Sequence, residues 1–158
     1  MSFHPTAIIE SDDIGENTKI WAFSHVSKNV KIGKNCVIGE GVHIGPNVII
    51  GDNVRIQNHS LLYEGVTIGN NVFIGPNVVT TNDIYPRSTG DWKHRFRNTI
   101  FKDGCSIGAN STIICGVAIE ENALVGAGSV VTRDVEKDSV VYGNPAKKRG
   151  KVKDASNY

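Results

Sequence analysis

The chain is poor in leucine and carries almost no net charge. Of its 158 residues only 3 are Leu, against 18 Val and 18 Ile. Leucine favours helices whereas β-branched residues favour strands, so this composition excludes a helical bundle. The 17 Lys and Arg residues nearly balance 16 Asp and Glu, which excludes a surface whose field attracts nucleic acid or an anionic membrane. Ample aliphatic residues and only 21% charged residues exclude low-complexity disorder.

Cysteine and long apolar runs are also scarce. The three cysteines, Cys36, Cys105 and Cys115, contain no C-x-x-C pair and leave one unpaired in any disulfide scheme, which is typical of a reducing cytoplasm. No apolar run approaches the ~20 residues that a membrane-spanning helix needs. The start of the chain lacks the basic and apolar regions of a signal peptide. We therefore expect a cytoplasmic protein without membrane insertion.

What the sequence does contain is a repeat with a period of six residues. Aliphatic residues (once Phe) recur at every sixth position in two runs: Ile8, Ile14, Ile20, Val26, Ile32, Ile38, Ile44, Ile50, Ile56, Leu62, Ile68 and Ile74, then Phe101, Ile107, Ile113, Ile119, Val125 and Val131. A small or β-branched residue mostly follows four positions later. Three positions later comes mostly Asn or Gly: Asn29, Asn35, Gly41, Asn47, Asn53, Gly65, Asn71, Asn77, Gly104, Asn110, Gly116, Asn122 and Gly128.

These Asn and Gly positions predict a corner every six residues, because both residue types tolerate a left-handed backbone conformation. The strand between two corners is too short to pair with its sequence neighbour, so it pairs one full turn away. Three hexads then close a triangular coil of 18 residues, with the aliphatic residues pointing inward. The periodicity predicts an all-β parallel solenoid of about six coils. It does not determine the handedness.

The recurring Ile-Gly-x-Asn-Val unit, as in residues 32–37 and 68–73, resembles the hexapeptide-repeat acyltransferase superfamily. This resemblance covers nearly the whole chain. It implies a left-handed parallel β-helix and a homotrimer with active sites between neighbouring subunits. We expect residues 1–145 to form the β-helix domain, with a loop insertion at 80–98, and residues 146–158 to form a basic C-terminal tail.

The repeat fails across residues 80–98, and a structureless loop of that length inside a compact domain is usually functional. The loop carries four cations, Arg87, Lys93, Arg95 and Arg97. Such cations suit phosphate groups, and an aromatic side chain, Trp92 or Phe96, can stack on a base. The alternative is a solvated loop that packs on a neighbouring subunit.

One spacing points to a receptor for an amine. Glu64 and Asn82 are 18 residues apart, so a regular coil would stack their side chains ~4.8 Å apart. Asp83 is adjacent. Two carboxylates and an amide supply the acceptors that an amine's N–H bonds need. The alternative is that Glu64 is one more exposed charge on a strand.

A second resemblance narrows the function. It rests on IQN (56–58), YEGV (63–66), GPN (75–77), TND (81–83), PRS (86–88) and RNT (97–99). These motifs are similar to those of N-acetyltransferases that act on dTDP-linked 3-amino-3,6-dideoxyhexoses. The resemblance implies that Asn82, Asp83 and Glu64 contact the sugar and its amine. The candidates for binding the rest of the nucleotide sugar are Tyr63, Arg87, Trp92, Arg95 and Arg97.

The acyl donor has its own candidate residues near the C-terminal end. Small residues around Ala109, Ala127 and Gly128 let a ligand approach the backbone, although corner geometry alone also favours small residues. The basic run Lys147, Lys148 and Arg149 follows. The resemblance implies that this ending lies beside acetyl-CoA, whose phosphates need cations; the alternative is a solvated tail.

The resemblance also implies direct attack of a neutral sugar amine on the thioester, with Asp83 as the candidate proton acceptor. No histidine lies in a family context for a catalytic base, and we expect His25 and His43, 18 residues apart, to stack as packing or interface residues. A zinc site needs three convergent histidines, and no His-x4-His pair is present, so we expect no metal. Cys36 and Cys105 fall at inward positions and are expected to be core.

Three other functions stay open at this point. A sister group of enzymes acetylates UDP-linked 3-amino uronic acids, and Asp83 disfavours that substrate because it would repel the sugar carboxylate. The other two are a metal-dependent lyase and a non-catalytic trimeric scaffold, since the same fold serves several functions.

Overall fold

Very short strands separated by corners make up almost all of the regular structure. The computed structural model describes residues 1–91 and 93–153, and within these ranges it contains no α-helix. Successive strands pass to three different sheets in turn, and each strand pairs with the equivalent strand of the next coil. All of this pairing is parallel except that of the last two strands. The prediction of an all-β parallel solenoid built from hexapeptide repeats is therefore confirmed.

The three sheets form the three faces of a prism. Sheet A contains β1 (Ser2–Phe3), β3 (Lys19–Ile20), β6 (Val37–Ile38), β9 (Arg55–Ile56), β12 (Phe73–Ile74), β15 (Ser106–Ile107), β18 (Leu124–Val125), β20 (Ser139–Tyr142) and β21 (Lys147–Lys151). Sheet B contains β2 (Ile8–Ile9), β4 (His25–Val26), β7 (His43–Ile44), β10 (Leu61–Leu62), β13 (Val79–Thr80), β16 (Thr112–Ile113) and β19 (Val130–Val131). Sheet C contains β5 (Lys31–Ile32), β8 (Ile49–Ile50), β11 (Val66–Ile68), β14 (Thr99–Phe101) and β17 (Ala118–Ile119).

Two columns of inward-facing residues, the aliphatic series and the small or β-branched residues four positions after it, form one continuous core along the prism axis. From Ile14 onward every residue of the six-residue aliphatic series is at most 8% exposed, as the periodicity predicts. The first member is an exception: Ile8 is 61% exposed. Its neighbour Ile9 pairs in register with Val26 and packs against the core instead. The prediction was wrong there because this first coil is one residue shorter than a regular coil of the repeat.

The corners follow the Asn and Gly positions predicted from the sequence. All thirteen predicted corner residues have positive φ, and those that are Asn have φ between 56° and 60°. Some corner side chains also form ladders between coils: Asn17 donates to Asn35, and Asn29 donates to Asn47. The corners therefore combine a backbone conformation that Asn tolerates with hydrogen bonds that repeat every 18 residues.

The solenoid has about eight turns rather than the predicted six. Sheet A holds eight parallel strands, from β1 to β20, before the antiparallel β21. The extra turns lie at the ends, where Ser2 pairs with Lys19 and Leu124 pairs with Val140. These separations are one and two residues short of a full coil, so counting strict hexads missed them.

Two departures from the repeat project from the prism. The first is the segment 81–98 between β13 and β14. It lengthens one coil, as the pairing of Ile68 with Phe101 shows. It contains the short 3-10 helix η1 (Lys93–Arg95). The second is β21, which runs back antiparallel to β20 and so occupies part of the segment 146–158 that was predicted to be a tail. These two departures position the candidate sites.

Candidate functional site

The projecting loop is anchored where its two ends run side by side. Arg97 donates its backbone N–H to the Asn82 carbonyl at 3.0 Å, and Asp83 forms an antiparallel bridge with Phe96. Thr99 then rejoins the solenoid by donating to the Gly65 carbonyl at 2.9 Å. Residues 84–91 lie beyond this anchor and are all exposed. The predicted site residues Asn82 and Asp83 therefore lie at the base of the loop, where the backbone is fixed.

Asp83 is the most enclosed charged side chain of the loop base. Its side chain is 9% exposed. The Tyr85 N–H donates to Oδ1 at 2.8 Å, and the Arg95 Nε lies 3.1 Å from Oδ2. Both carboxylate oxygens thus have a partner within the loop. This arrangement fixes the direction in which the carboxylate points.

A recess of about 370 Å³ opens beside this carboxylate. Its lining residues are Tyr63, Asn82, Asp83, Pro86, Arg87, Ser88 and Phe96. The structure therefore brings together four of the predicted site residues, from two separate elements of the chain. Among these lining residues are amide, carboxylate, phenol and guanidinium groups, which can recognise a polar, anionic ligand.

Glu64 lies in a neighbouring recess. That recess, of about 390 Å³, is lined by Asn47, Glu64, Gly65, Val66, Thr67, Phe96 and Asn98. Glu64 accepts a hydrogen bond from the Asn47 amide at 2.9 Å. Phe96 lines both recesses. Asn47 and Asn98 were not among the predicted residues, although the position of Asn47 one coil before Glu64 could have identified it.

The regular stacking of Glu64 on Asn82 required an unbroken coil, and the coil breaks just before Asn82. Elsewhere in sheet B the ladder is regular, as where the Gly45 N–H donates to the Leu62 carbonyl. The Tyr63 N–H instead donates to the side-chain hydroxyl of Thr80, at 2.9 Å. Glu64 and Asn82 therefore line two adjacent recesses.

The loop cations differ in their surroundings. Arg87 and Arg97 are exposed, and Arg87 donates only to the adjacent Pro86 carbonyl among the contacts in the described residues. The Arg95 side chain is 32% exposed and faces Asp83. Trp92 lies outside the described residues, as does the side chain of Lys93. Arg87 and Arg97 are thus the loop arginines open to an incoming anion.

The predicted acyl-donor residues lie together on the C-terminal coils. Gly128 donates its N–H to the Ala109 carbonyl at 2.8 Å. Ala127 and Gly128 are exposed, and a Cβ added to Gly128 would meet nothing within 4 Å. At Gly108 an added Cβ would lie 2.4 Å from the Ala127 nitrogen. Neighbouring coils therefore approach closely here and leave an open strip of small residues.

The basic run at the C-terminal end is partly engaged within the chain. Lys148 pairs with Glu136, and this hydrogen bond holds the pKa of the Glu136 carboxyl below its usual range. The Arg149 guanidinium lies 5.0 Å from the centroid of the Tyr142 ring. Lys147 is exposed. The three predicted cations thus lie on one strand, β21, at the end of the prism.

A column of rings leads along sheet B to the recess. The His25 and His43 centroids are 5.4 Å apart, which confirms their predicted stacking, and His43 lies 5.8 Å from Tyr63. His25 Nε2 is 3.1 Å from a Glu10 carboxylate oxygen. Burial, and then the neighbouring His25, lower the pKa of His43. The sequence did not predict the contact between His43 and Tyr63.

The cysteines are core residues, as predicted for Cys36 and Cys105. All three are buried. Burial raises the pKa of the Cys36 thiol, and it raises that of Cys105 to about 12. A thiol that stays protonated at neutral pH is a poor nucleophile.

The described residues contain neither a metal-binding cluster nor a membrane-spanning helix. No three side chains among His, Cys, Asp and Glu in residues 1–91 and 93–153 are grouped so that they could hold a metal ion. No helix in this part of the chain is long and apolar enough to cross a membrane.

Comparison with known proteins places these features in context. The family model described as bacterial transferase hexapeptide (six repeats) matches residues 13–46, 35–62 and 47–82, and the hexapeptide repeat of succinyl-transferase matches 103–133. A dTDP-3-amino-3,6-dideoxy-alpha-D-galactopyranose 3-N-acetyltransferase from Aneurinibacillus thermoaerophilus is 53% identical over 149 residues, which cover 94% of this chain and 77% of that protein. A 2,3,4,5-tetrahydropyridine-2,6-dicarboxylate N-acetyltransferase from Staphylococcus aureus is 48% identical over only 48 residues, 30% of this chain and 20% of that protein.

Solved structures share the same architecture. A mutant of AntD, an N-acyltransferase from Bacillus cereus, in complex with dTDP and coenzyme A, superposes with a TM-score of 0.78 at 23% identity, covering 89% of this chain and 83% of that chain. PerB from Caulobacter crescentus, in complex with CoA and GDP-perosamine, has a TM-score of 0.67 at 21% identity, covering 95% of this chain and 58% of that chain. At these identities the likeness supports the fold.

Proposed function

The chain belongs to the bacterial hexapeptide-repeat transferases, and on that premise we propose that it transfers an acetyl group from acetyl-CoA to the 3-amino group of a dTDP-linked 3-amino-3,6-dideoxyhexose. The observation that carries the proposal is the relative from Aneurinibacillus thermoaerophilus, which is 53% identical over 94% of the chain. That relative acts on the galactose-configured sugar, which makes this epimer the first substrate to test.

The recess at the loop base suits the amino sugar. Asn82 and Asp83 present an amide and a carboxylate in one recess with the Tyr63 phenol. An amine needs acceptors aligned on its N–H bonds, and these groups supply them. The exposed guanidinium groups of Arg87 and Arg97 suit the diphosphate that links sugar and nucleoside.

The reaction follows from holding the two substrates together. The neutral sugar amine attacks the thioester carbonyl carbon, a C–N bond forms, and the C–S bond breaks with departure of the coenzyme A thiolate. The amine loses one proton, and the thiolate gains one. Asp83 orients the amine, since its partners Tyr85 and Arg95 hold the carboxylate in one direction. Holding the two substrates close together supplies much of the rate. Backbone N–H groups are the proposed donors to the oxyanion.

The strip of small residues suits the acyl donor. Ala109, Ala127 and Gly128 lie on adjacent coils and leave the backbone accessible. The cations Lys147, Lys148 and Arg149 follow on β21 and suit the phosphates of coenzyme A. Glu64 lies in the second recess, where its carboxylate is held by Asn47, and is proposed to contact the sugar.

We also propose a homotrimer whose sites lie between subunits. The outward positions of sheet C support this arrangement, because Ile49, Thr67 and Ile100 are in register on three successive coils. Ile49 and Ile100 are 45% and 41% exposed. Such a flat, mildly apolar column suits packing against another copy. Sedimentation velocity tests it, and a monomer at micromolar concentration would contradict it.

The function is tested by thiol release. Purified protein is mixed with acetyl-CoA and each of four nucleotides: the galacto and gluco epimers of the dTDP-3-amino-3,6-dideoxyhexose, the matched dTDP-6-deoxyhexose with a 3-hydroxyl, and a UDP-linked 3-amino uronic acid. We expect free thiol and a product heavier by one acetyl group with a dTDP-3-amino sugar and none with the 3-hydroxyl control. Silence with both dTDP-3-amino epimers, or turnover of the UDP-uronate alone, would overturn the proposal.

A further inference from the structure

The loop contains one arginine whose surroundings differ from those expected of an arginine that binds phosphate. Arg95 ends the short helix η1, directly before the strand segment that pairs with Asp83. Its Nε lies 3.1 Å from Asp83 Oδ2. A guanidinium that binds a mobile diphosphate is normally open to solvent, as are those of Arg87 and Arg97 here.

The orientation of the Arg95 guanidinium separates it further from the other two. Its Nε and Nη2 atoms are buried, and neither makes a hydrogen bond with the described residues. These two nitrogens form one edge of the guanidinium plane, which is the edge that binds a carboxylate with two parallel bonds. Nε is already within ion-pair distance of Asp83, although its N–H is not aimed at the oxygen.

Asp83 gains a fixed direction from its two partners. The Tyr85 N–H donates to Oδ1, and the positively charged Arg95 guanidinium lies with its Nε 3.1 Å from Oδ2. The backbone of Asp83 is held by its bridge to Phe96. Without Arg95, the carboxylate would keep one hydrogen bond and could rotate about its Cα–Cβ bond. An uncompensated carboxylate in so enclosed a place would also turn toward water.

We propose that Arg95 is a positioning residue, which holds the Asp83 carboxylate toward the recess shared with Asn82 and leaves phosphate binding to Arg87 and Arg97. This inference rests on the proposed function, because Asp83 matters only if the recess receives an amine. Arg95 acts through Asp83 and does not itself touch the substrate. The specificity for an amine over a hydroxyl at the same sugar carbon thus depends on a residue outside the recess lining.

The test compares single and double variants in two assays. Arg95→Gln, Asp83→Asn and the double variant are measured for kcat and KM with the amino sugar. Without acetyl-CoA, calorimetry measures the Kd of dTDP and of the 3-amino and 3-hydroxyl nucleotide sugars. Asp91→Asn is the matched control, because Asp91 pairs with His94 at 3.0 Å in the same loop and both side chains are more than half exposed.

We expect R95Q to lower kcat/KM by about 10- to 100-fold, the size of loss that slight misplacement of a reacting group causes. The Kd of dTDP should change by less than about twofold, since no phosphate contact is lost. The preference for amine over hydroxyl should fall, and R95Q should have no further effect in the D83N background. D91N should match the unaltered protein.

Three results would overturn the proposal. These are a large loss of dTDP affinity in R95Q, effects of R95Q and D83N that multiply, and unaltered kinetics in R95Q. If R95Q does not fold, Arg95→Lys is measured in its place, because lysine keeps the charge but lacks the planar guanidinium. A positioning role predicts reduced turnover with unchanged dTDP affinity in this variant. Full activity of Arg95→Lys would contradict the proposal. Failure of the unaltered protein to release thiol contradicts the proposed function, whereas the calorimetry still tests whether Arg95 acts through Asp83.

Discussion

The coils and the loop of this protein are stabilised in different ways. In the coils each residue is fixed by equivalents one turn before and after it, through backbone bonds such as that from the Gly45 N–H to the Leu62 carbonyl. At the base of the loop, within the described residues, the backbone is held by the bridge between Asp83 and Phe96 and by the bond from the Arg97 N–H to the Asn82 carbonyl. Inward coil residues are nearly inaccessible, whereas residues 84–91 are all exposed.

This difference shows how the fold divides stability from chemistry. Each residue of a coil packs against equivalent residues of the coils on either side, so a change at one position disturbs two neighbouring turns. The loop adds little to the core and can therefore carry polar side chains such as Asn82, Asp83 and Arg87, which a repeat of aliphatic columns cannot accommodate. The three predictions below test this separation, beginning with the largest expected effect.

Truncating a core aromatic should cost far more stability than truncating a loop aromatic. Phe101 is fully buried in β14, whereas Tyr85 is 70% exposed in the loop. We expect Phe101→Ala to lower the free energy of unfolding by about 3–5 kcal/mol, because it leaves a cavity between coils. Tyr85→Ala should stay within about 0.5 kcal/mol of the unaltered protein. Urea denaturation followed by circular dichroism measures both, and equal losses would refute the separation.

A glycine in the coils should tolerate a methyl group less well than a glycine in the loop. At Gly108 an added Cβ would lie 2.4 Å from the Ala127 nitrogen, and this neighbour is backbone. We expect Gly108→Ala to cost about 3 kcal/mol, since the next coil must shift.

The loop glycine is the matched control for this change. Gly90 has φ of +89° but nothing within 4 Å of an added Cβ. Gly90→Ala should therefore cost about 1 kcal/mol, which is the strain of its backbone conformation alone. The midpoint of urea denaturation ranks the two variants. A larger shift for Gly90→Ala would show that loop strain outweighs coil packing.

The coils could be predicted from the sequence because their determinants are local and repeated. A corner requires a residue that tolerates positive φ, so Asn and Gly positions marked each predicted corner correctly. The residues that face the core could likewise be predicted from the six-residue period. The prediction was wrong at Ile8 and in the number of turns, since the terminal coils depart from 18 residues and periodicity carries no information about shorter coils.

The site could be predicted only in part, because its geometry depends on where the repeat ends. Asn82, Asp83 and Tyr63 were identified from motifs, and the structure brings them into one recess. The stacking of Glu64 on Asn82 assumed a regular coil, but the Thr80 hydroxyl takes the place of a backbone acceptor. The ion pair between Asp83 and Arg95 joins residues of an irregular loop, so no period could indicate it.

The smallest expected effect is a dependence of coil stability on pH through His43. Its folded-state pKa is lowered from 6.5, mainly by burial and also by His25. The unfolded chain therefore binds more protons than the folded protein as pH falls below 6.5, so this stability is present above that pH and is lost as pH falls through the folded pKa. We expect His43→Gln to reduce the shift of the urea midpoint between about pH 7.5 and about pH 5. His94→Gln, in the exposed loop, should leave that shift unchanged. An equal reduction in both variants would show that the acid sensitivity does not arise from the half-buried His43.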